Sequence, residues 1–458
     1  MVRLISMKRR DFLSTGVATG AGLLLTPLVA QENVAQSQSP EKLRVAVAGC
    51  GRQGRALINA GMKISNMRFV AVCDILPSAL NSAKLYLEFE DENNGENGET
   101  DTVAAYRDFQ EMIDKERKNI DAVVVATPDF VHAEQTVTAL NAGLHVYCEP
   151  MMATNVGDAR EMVRTSKKTG RLLQVGYERR SDPRYLHAAK NLLNPESRDL
   201  LLGTITHFET QANRRVHAEL IWAERDTLPP EILAKYGYDS MSQYRNWKQY
   251  HKYCNGQCAT NFAQQIDVFE WFFGVRPEEI RAMGGLDYYK FGDCDDNAAA
   301  LLSYRFSRGI VQGISRVWMT TSGGGVLPFE HVFGELGSLQ TSLSEGLFRL
   351  HAEPGLAKWN EFVRRGDLQK ENVAEEGEDP NLIKVRETGN VVPYLIPVGR
   401  SDSVFRLHLE NFVNAVSGKE PLNCSGDDAF ASHVIAWNII EAVQTGNNIR
   451  LTEEMFHI

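Results

Sequence analysis

Gly49, Gly51 and Gly54 stand in GCGRQG directly after the apolar run LRVAVA, and Asp74 closes the next apolar run, FVAVCD. Those residue types at that spacing could cradle a dinucleotide. Gly49 allows the tight turn, Gly51 lets the backbone approach a pyrophosphate, and Gly54 lets the following helix lie close to the strand. The start of that helix offers unpaired N–H groups and the positive end of a dipole, both of which favour an anion. Cys50, Arg52 and Gln53 line the same loop. Asp74, twenty residues beyond Gly54, can accept both hydroxyls of an adenosine ribose and repels a 2′-phosphate, so NAD is expected. Arg52 could hold a phosphate and keeps NADP open. The other reading, a glycine turn that merely packs strand on helix, is weakened by the strand, helix, second strand and terminal acid all falling at the required spacing.

The elements that must position this loop follow from periodicity. Apolar runs at residues 43–49, 68–73, 121–126, 144–148 and 171–176 read as strands. They alternate with helical stretches at Gln53–Met62, Pro77–Leu87, Asp108–Lys115, His132–Ala142 and Val156–Thr169. Such alternation implies right-handed crossovers and a parallel sheet. Beyond about residue 200, GTITHFETQA, NAAALLSYRF and RGIVQGISRVW show short β-rich runs between turns, as in an open antiparallel sheet. Helical spacing returns at 403–416 and 427–443. The fold class is therefore α/β: a doubly wound Rossmann domain at 42–165, then an α/β domain with a large, mainly antiparallel open sheet and C-terminal helices at 166–458.

Composition narrows partners and address. The chain has 458 residues, 24% of them charged, and a net charge of −10, which speaks against nucleic-acid binding. The acidic stretch 88–101 reads as a solvated, flexible surface insertion, and no metal-ligand pattern is read. Lys8-Arg9-Arg10-Asp11-Phe12-Leu13 before a mildly apolar run from Thr15 to Ala30 has the arrangement of a twin-arginine export signal, so residues 1–35 are expected to be a signal and 36–41 a linker. That implies the translocation machinery as a partner and a periplasmic address, with an uncleaved membrane anchor as the alternative. Seven cysteines are an odd number for a disulfide framework, and only Cys254 and Cys258 invite a local pairing.

ATPDFVHAEQTVTALNAGLHVYCEP, together with the glycine fingerprint, VGYERRSDPRY and QQIDVFEWFFG, resembles the Gfo/Idh/MocA family, the relatives of glucose–fructose oxidoreductase and inositol dehydrogenase. The resemblance covers most of the chain from residue 42. It implies a Rossmann domain followed by a sheet domain that carries a sugar or polyol site and the contacts of a homo-oligomer. It also implies that Thr127 and Pro128 flank the cofactor, that His132 begins the helix beyond, and that Glu149 stands near the nicotinamide ribose. The bland counterparts are a plain strand end, a locally packed histidine and a glutamate paired with an arginine.

Two departures from the family pattern bear on chemistry. Pro150 and Met151 follow Glu149 where the family has lysine and proline, and Gln264 in QQID holds a histidine's slot three residues before Asp267. Oxidising a carbinol needs a base for the hydroxyl proton, and neither proline nor glutamine can be one at neutral pH. Tyr177, His217, His251 and Tyr253 are the candidate replacements. Arg179 and Arg180 could bind substrate oxygens or sit in ion pairs. The aromatic segment YRNWKQYHKYC could stack on sugar faces or pack as an inter-domain loop. Gln264 and Asp267 complete the candidate substrate residues.

Three functions follow. The first is an exported NAD-linked oxidoreductase of a sugar, glycoside or polyol that keeps and recycles its cofactor. The second is a redox-neutral glycosidase or lyase that leaves NAD unchanged. The third is a non-catalytic sugar-binding or scaffold relative, suggested by Pro150 and Gln264.

Overall fold

Val45, Val47, Val123 and Val124 are fully enclosed, which only a strand covered on both faces allows. The computed structural model describes residues 42–94, 102–322, 328–353, 359–371, 392–400 and 402–458. The export segment lies outside them. Strands β1 (Leu43–Ala48), β2 (Met67–Cys73), β3 (Ala104–Tyr106), β4 (Ala122–Val125), β5 (His145–Cys148) and β6 (Leu173–Val175) form one sheet in the order β3-β2-β1-β4-β5-β6. Every pairing in it is parallel. The order reverses between β1 and β4, which creates the crevice where doubly wound sheets bind ligands. Helices α1 (Arg52–Gly61), α2 (Pro77–Asn94), α3 (Phe109–Glu116), α4 (Asp129–Asn141) and α5 (Val156–Thr169) supply the crossovers.

Three details differ from the sequence reading. The helix expected to stop at Leu87 runs on to Asn94, so the start of the acidic stretch is helical, helped by a Lys84–Glu88 pair one turn apart at 3.6 Å. Residues 95–101 lie outside the described residues. Strand β3, three residues long, is too short to leave a periodic signature. Helix α4 starts at Asp129 rather than His132, because Pro128, with φ −65°, already sets the helical entry.

Among the described residues the second sheet has ten strands: β7 (Ile205–Asn213), β8 (Pro277–Gly285), β9 (Asn297–Phe306), β10 (Gly309–Trp318), β11 (Phe329–Gly334), β12 (Gly337–Ser342), β13 (Arg349–Ala352), β14 (Gln369–Lys370), β15 (Tyr394–Leu395) and β16 (Ile449–Arg450). Their order is β14-β15-β13-β12-β11-β7-β10-β9-β8-β16, and all pairs are antiparallel except β7 with β10. Helices Gly256–Phe273 and Gly426–Thr445 pack on each other and against this sheet. In β9 and β10, Ala298, Leu302, Val311 and Val317 turn inward, whereas Leu301, Ile310, Ile314 and Trp318 stand exposed. Among the described residues, no helix is long and apolar enough to cross a membrane.

The helix Val404–Val416 follows β15 in sequence yet packs on α1, burying Leu409, Phe412 and Val413 with Val45 and Leu57. His408 fastens it. Its Nε2 lies 2.9 Å from the Val175 carbonyl and its Nδ1 2.6 Å from the Ser181 hydroxyl, so one neutral tautomer donates to the first and accepts from the second. Burial pushes its pKa down to about 4. Its folded pKa therefore lies below the unfolded value, and the stability it confers is present above about pH 6.5 and lost as pH falls toward 4. Urea denaturation at neutral pH and near pH 4.5 is expected to show a decline in which His408 accounts for up to ~3 kcal/mol. A His408→Gln variant should decline less steeply, and an unchanged slope would exclude the histidine as its source.

Candidate functional site

The glycine loop is shaped by contacts that tolerate no side chain at two positions and leave open space at the third. At Gly49, with φ +91°, a β-carbon would sit 2.4 Å from the Ala126 carbonyl oxygen. At Gly54 it would sit 1.8 Å from Gly49 O, so loop and helix touch backbone to backbone. At Gly51 nothing lies within 4 Å. That opening faces the start of α1, whose N-cap has no capping side chain and whose first turn has no acid, whereas Asp108 and Asn155 cap α3 and α5. Orphan N–H groups beside open space suit a pyrophosphate.

Asp74 is held by two backbone amides. One carboxylate oxygen accepts from Cys50 N at 2.7 Å and the other from Leu76 N at 2.8 Å. Burial raises its pKa, and these two N–H groups pull the other way. The Cys50 amide is thus committed to Asp74, and burial raises its thiol far above the ordinary range, leaving it inert. Arg52 is exposed at the first position of α1. A dinucleotide therefore fits these residues: Gly51 and the α1 start for the pyrophosphate, Asp74 for the adenosine ribose.

Replacing Gly51 with alanine is expected to change unfolding free energy by less than about 1 kcal/mol while weakening NAD binding at least about tenfold. Alanine at Gly54 meets backbone instead and is expected to destabilise by about 1–3 kcal/mol. Calorimetric titration with NAD and urea denaturation check both. Wild-type affinity in Gly51→Ala would remove this loop from the pyrophosphate.

At the neighbouring strand end, Thr127 Oγ1 donates to Gln135 at 2.7 Å, and Pro128 caps α4. His132 is only 1% exposed. Its ring nitrogens lie 2.7 Å from the Thr127 carbonyl and 2.8 Å from that of Met151. Burial lowers its pKa, and the neutral ring donates to one carbonyl at a time. It ties the chain just beyond β4 to the chain just beyond β5.

Glu149 stands at the end of β5. Burial, then the neighbouring Glu178 carboxylate, pushes its pKa up to about 8, against hydrogen bonds from Gln53 and Tyr147 and the positive charge of Lys248. Tyr147 Oη donates to it at 3.3 Å. Gly176 leaves it room, since a β-carbon there would lie 2.8 Å from Glu149 Oε1. Asp129, buried in the first turn of α4, is raised by burial to about 7 and also feels Lys248. Carboxyls of this kind exchange protons near neutral pH.

Lys248, Glu178 and Asp129 escaped the sequence reading. Tyr147 and Glu149 alternate along a strand and so share a face, which was a usable signal. Lys248 had none: it arrives on the turn Trp247–Gln249 of a distant segment. That segment is anchored on α4 by Phe130 N donating to the Tyr253 carbonyl at 3.1 Å and by Phe130 packing edge-on against Tyr238 and Tyr253.

Several expected residues are placed elsewhere. Tyr177 is buried, and that burial, then the Asp267 carboxylate, raises its phenol well above its ordinary pKa against the pull of Ser432, so it is no base at neutral pH. Tyr253 is buried among aromatic rings, with its hydroxyl donating to Gln243 at 2.6 Å. The aromatic segment is thus a packed loop. Asp267 accepts both arms of Arg180 at 2.8 and 2.9 Å, and the pair is almost wholly buried, so it is structural rather than a sugar ligand. Arg179 pairs with buried Glu330 at 3.2 Å and donates to Gln264 Oε1 at 3.3 Å. His217 is exposed after β7, and His251 lies against Asp293 and Gln444. The expected Cys254–Cys258 pairing is also overturned: Cys258 Sγ faces the Asp295 carbonyl one helical turn on, and the sulfur facing Cys254 is that of Cys294.

Known proteins resemble parts of this chain. The chain is 29% identical over 159 residues to inositol 2-dehydrogenase of Salmonella typhimurium, a match covering 33% of this chain and 41% of that one. It is 29% identical over 170 residues to a glycosyl hydrolase family 109 protein of Stenotrophomonas maltophilia, covering 36% and 35%. The chain thus spans about half or less of the length of these curated relatives. The WlbA dehydrogenase of Bordetella pertussis, solved with NADH and UDP-GlcNAcA, superposes with a TM-score of 0.61 at 19% identity over 90% of this chain and 99% of that one, which shows a common fold. Residues 43–177 match the model of the GFO_IDH_MocA oxidoreductase family, described as an NAD-binding Rossmann fold. Sheet order, glycine contacts and Asp74 agree with that match, and residues 43–177 form an NAD-binding Rossmann domain similar to the one this family model describes.

Proposed function

We propose that this chain is an exported NAD-linked oxidoreductase that oxidises a hydroxyl-bearing carbon of a sugar, glycoside or polyol. The observation that carries it is the Glu149 carboxyl, raised to about 8 beside the glycine loop and linked to that loop through Gln53. When bound, NAD supplies the hydride acceptor. Glu149 takes the hydroxyl proton, and Lys248 supplies the positive charge that Pro150 cannot, steadying the carboxylate once formed. Gln264, its amide oxygen held by Arg179, offers N–H groups to a substrate oxygen. The twin-arginine pattern at Lys8–Leu13 supports folding around NAD before export and retention of it afterwards.

The exposed row of Leu301, Ile310, Ile314 and Trp318 supports self-association through the open sheet. The likeness to a glycosyl hydrolase keeps a second reading in play: cleavage of a glycosidic bond with no net oxidation at the same site. Mass spectrometry of nucleotide released from denatured, freshly purified protein tests retention. Chromatography of products from polyols, aldoses and aryl glycosides separates the readings: a keto-sugar or lactone supports oxidation, a freed aglycone without one supports cleavage. Protein that neither carries nor binds a nicotinamide nucleotide would sink both.

A further inference from the structure

Away from the glycine loop, two segments distant in sequence are stitched together at Gln249. Its carbonyl accepts from Asp293 N at 2.8 Å and from Cys294 N at 3.2 Å, and Gly292, with φ +78°, comes so near that a β-carbon would lie 2.2 Å from the same oxygen. The stitching gathers His251 and Cys254 from the turn before the helix Gly256–Phe273, and Asp293 and Cys294 from the loop between β8 and β9. One ligand atom from each of His251, Asp293 and Cys294 lies within 4.8 Å of the others. Cys254 Sγ lies 3.8 Å from Cys294 Sγ.

That sulfur separation selects between two chemistries. Two thiolates each ~2.3 Å from one tetrahedral zinc ion stand ~3.8 Å apart, whereas a disulfide requires about 2.05 Å. The surroundings suit a cation. Gly256 N donates to Cys254 Sγ at 3.2 Å, a hydrogen bond that strengthens when the sulfur is a thiolate. Gly256, with φ +82°, also makes space for its partner, since a β-carbon there would lie 3.3 Å from Cys294 Cβ. The Gln444 side-chain amide, whose nitrogen lies 3.1 Å from His251 Nε2, accepts from that Nε2–H when turned to present its oxygen, which orients the ring and leaves Nδ1 for an ion. Both sulfurs are buried and Asp293 is exposed, so the cluster has a dry side and an entry side.

We propose that His251, Cys254, Asp293 and Cys294 form a structural site for a divalent cation of the zinc class. Mixed sulfur, nitrogen and carboxylate ligands in a four-coordinate set suit a borderline-soft ion without geometric preference of its own. The ion pins the turn that carries Lys248 and Tyr253 to the large sheet, and so braces the segment seated on α4. It stands whether or not the chain oxidises sugars.

The test uses the full chain, reduced and stripped of metal. Elemental analysis after zinc addition and dialysis is expected to find one zinc per chain. Cobalt substitution should give sulfur-to-cobalt charge-transfer absorption and the visible bands of a tetrahedral ion, neither of which needs a variant. Cys254→Ser and Cys294→Ser should each lose the charge-transfer intensity in part and weaken zinc binding at least about tenfold. No zinc uptake by reduced protein would overturn the proposal. So would uptake that both serine variants leave unchanged, or a Cys254–Cys294 disulfide in protein isolated from the oxidising compartment without metal.

Discussion

Glu149→Gln is expected to lower turnover of a sugar or polyol about 100-fold or more while NAD binding stays within about twofold of wild type. The amide keeps the shape and the hydrogen bonds with Gln53 and Tyr147 but cannot take a proton. The pH profile is the sharper readout. A base works in its deprotonated form, and burial with Glu178 holds this carboxyl at about 8, so the rate should climb with pH and level off above that value. In the glutamine variant the residual rate should lose that limb. Lys248→Ala removes a charge that favours the carboxylate, so it should move the limb to higher pH while leaving a working enzyme. Steady-state rates across pH for the three proteins decide the matter: a wild-type profile in Glu149→Gln would require another base.

Arg180→Leu is expected to destabilise the fold by about 3–5 kcal/mol. Its guanidinium forks onto Asp267 in a nearly closed environment, Asp428 adds a second carboxylate at 3.5 Å, and Trp271 covers the cation. Removing the arginine strands Asp267 in low dielectric, and the cost is that of an uncompensated buried charge. The double variant Arg180→Leu/Asp267→Leu, which removes both charges, should recover much of the loss. Urea denaturation of the two single variants and the double variant gives the cycle. Were Asp267 a sugar ligand instead, Asp267→Asn would raise KM and leave stability nearly untouched.

The sequence reached further into backbone architecture than into the partners of ionisable side chains, for a physical reason. Valine-rich runs in parallel strands, and a loop whose glycines each answer to a local steric demand, are legible in one dimension because their determinants lie within a few residues. Gly49, Gly54 and Asp74 are such cases, and so is the alternation that set the order of β1, α1 and β2. The same holds for the β-rich character of the second sheet, whose inward and outward residues alternate along β9 and β10.

Ionisable side chains behaved otherwise. Whether Arg179, Arg180 and Asp267 face a substrate or one another depends on which helix lies opposite, and their spacing says nothing of that. Tyr177 looked available because it follows a strand, yet the Gly426–Thr445 helix closes over it. His132 sits close to the expected place but faces two carbonyls rather than the crevice. Lys248 near Glu149, and Cys254 near Cys294, are meetings of segments far apart in the chain.

By itself the sequence determined the Rossmann architecture, the NAD cradle and the α/β class, since backbone sterics and hydrophobic periodicity are local and survive any change of neighbours. Only the tertiary structure decided which charged groups are paired away in the core and which stay free to exchange protons. Burial and charge proximity, which set a pKa, are properties of three-dimensional surroundings.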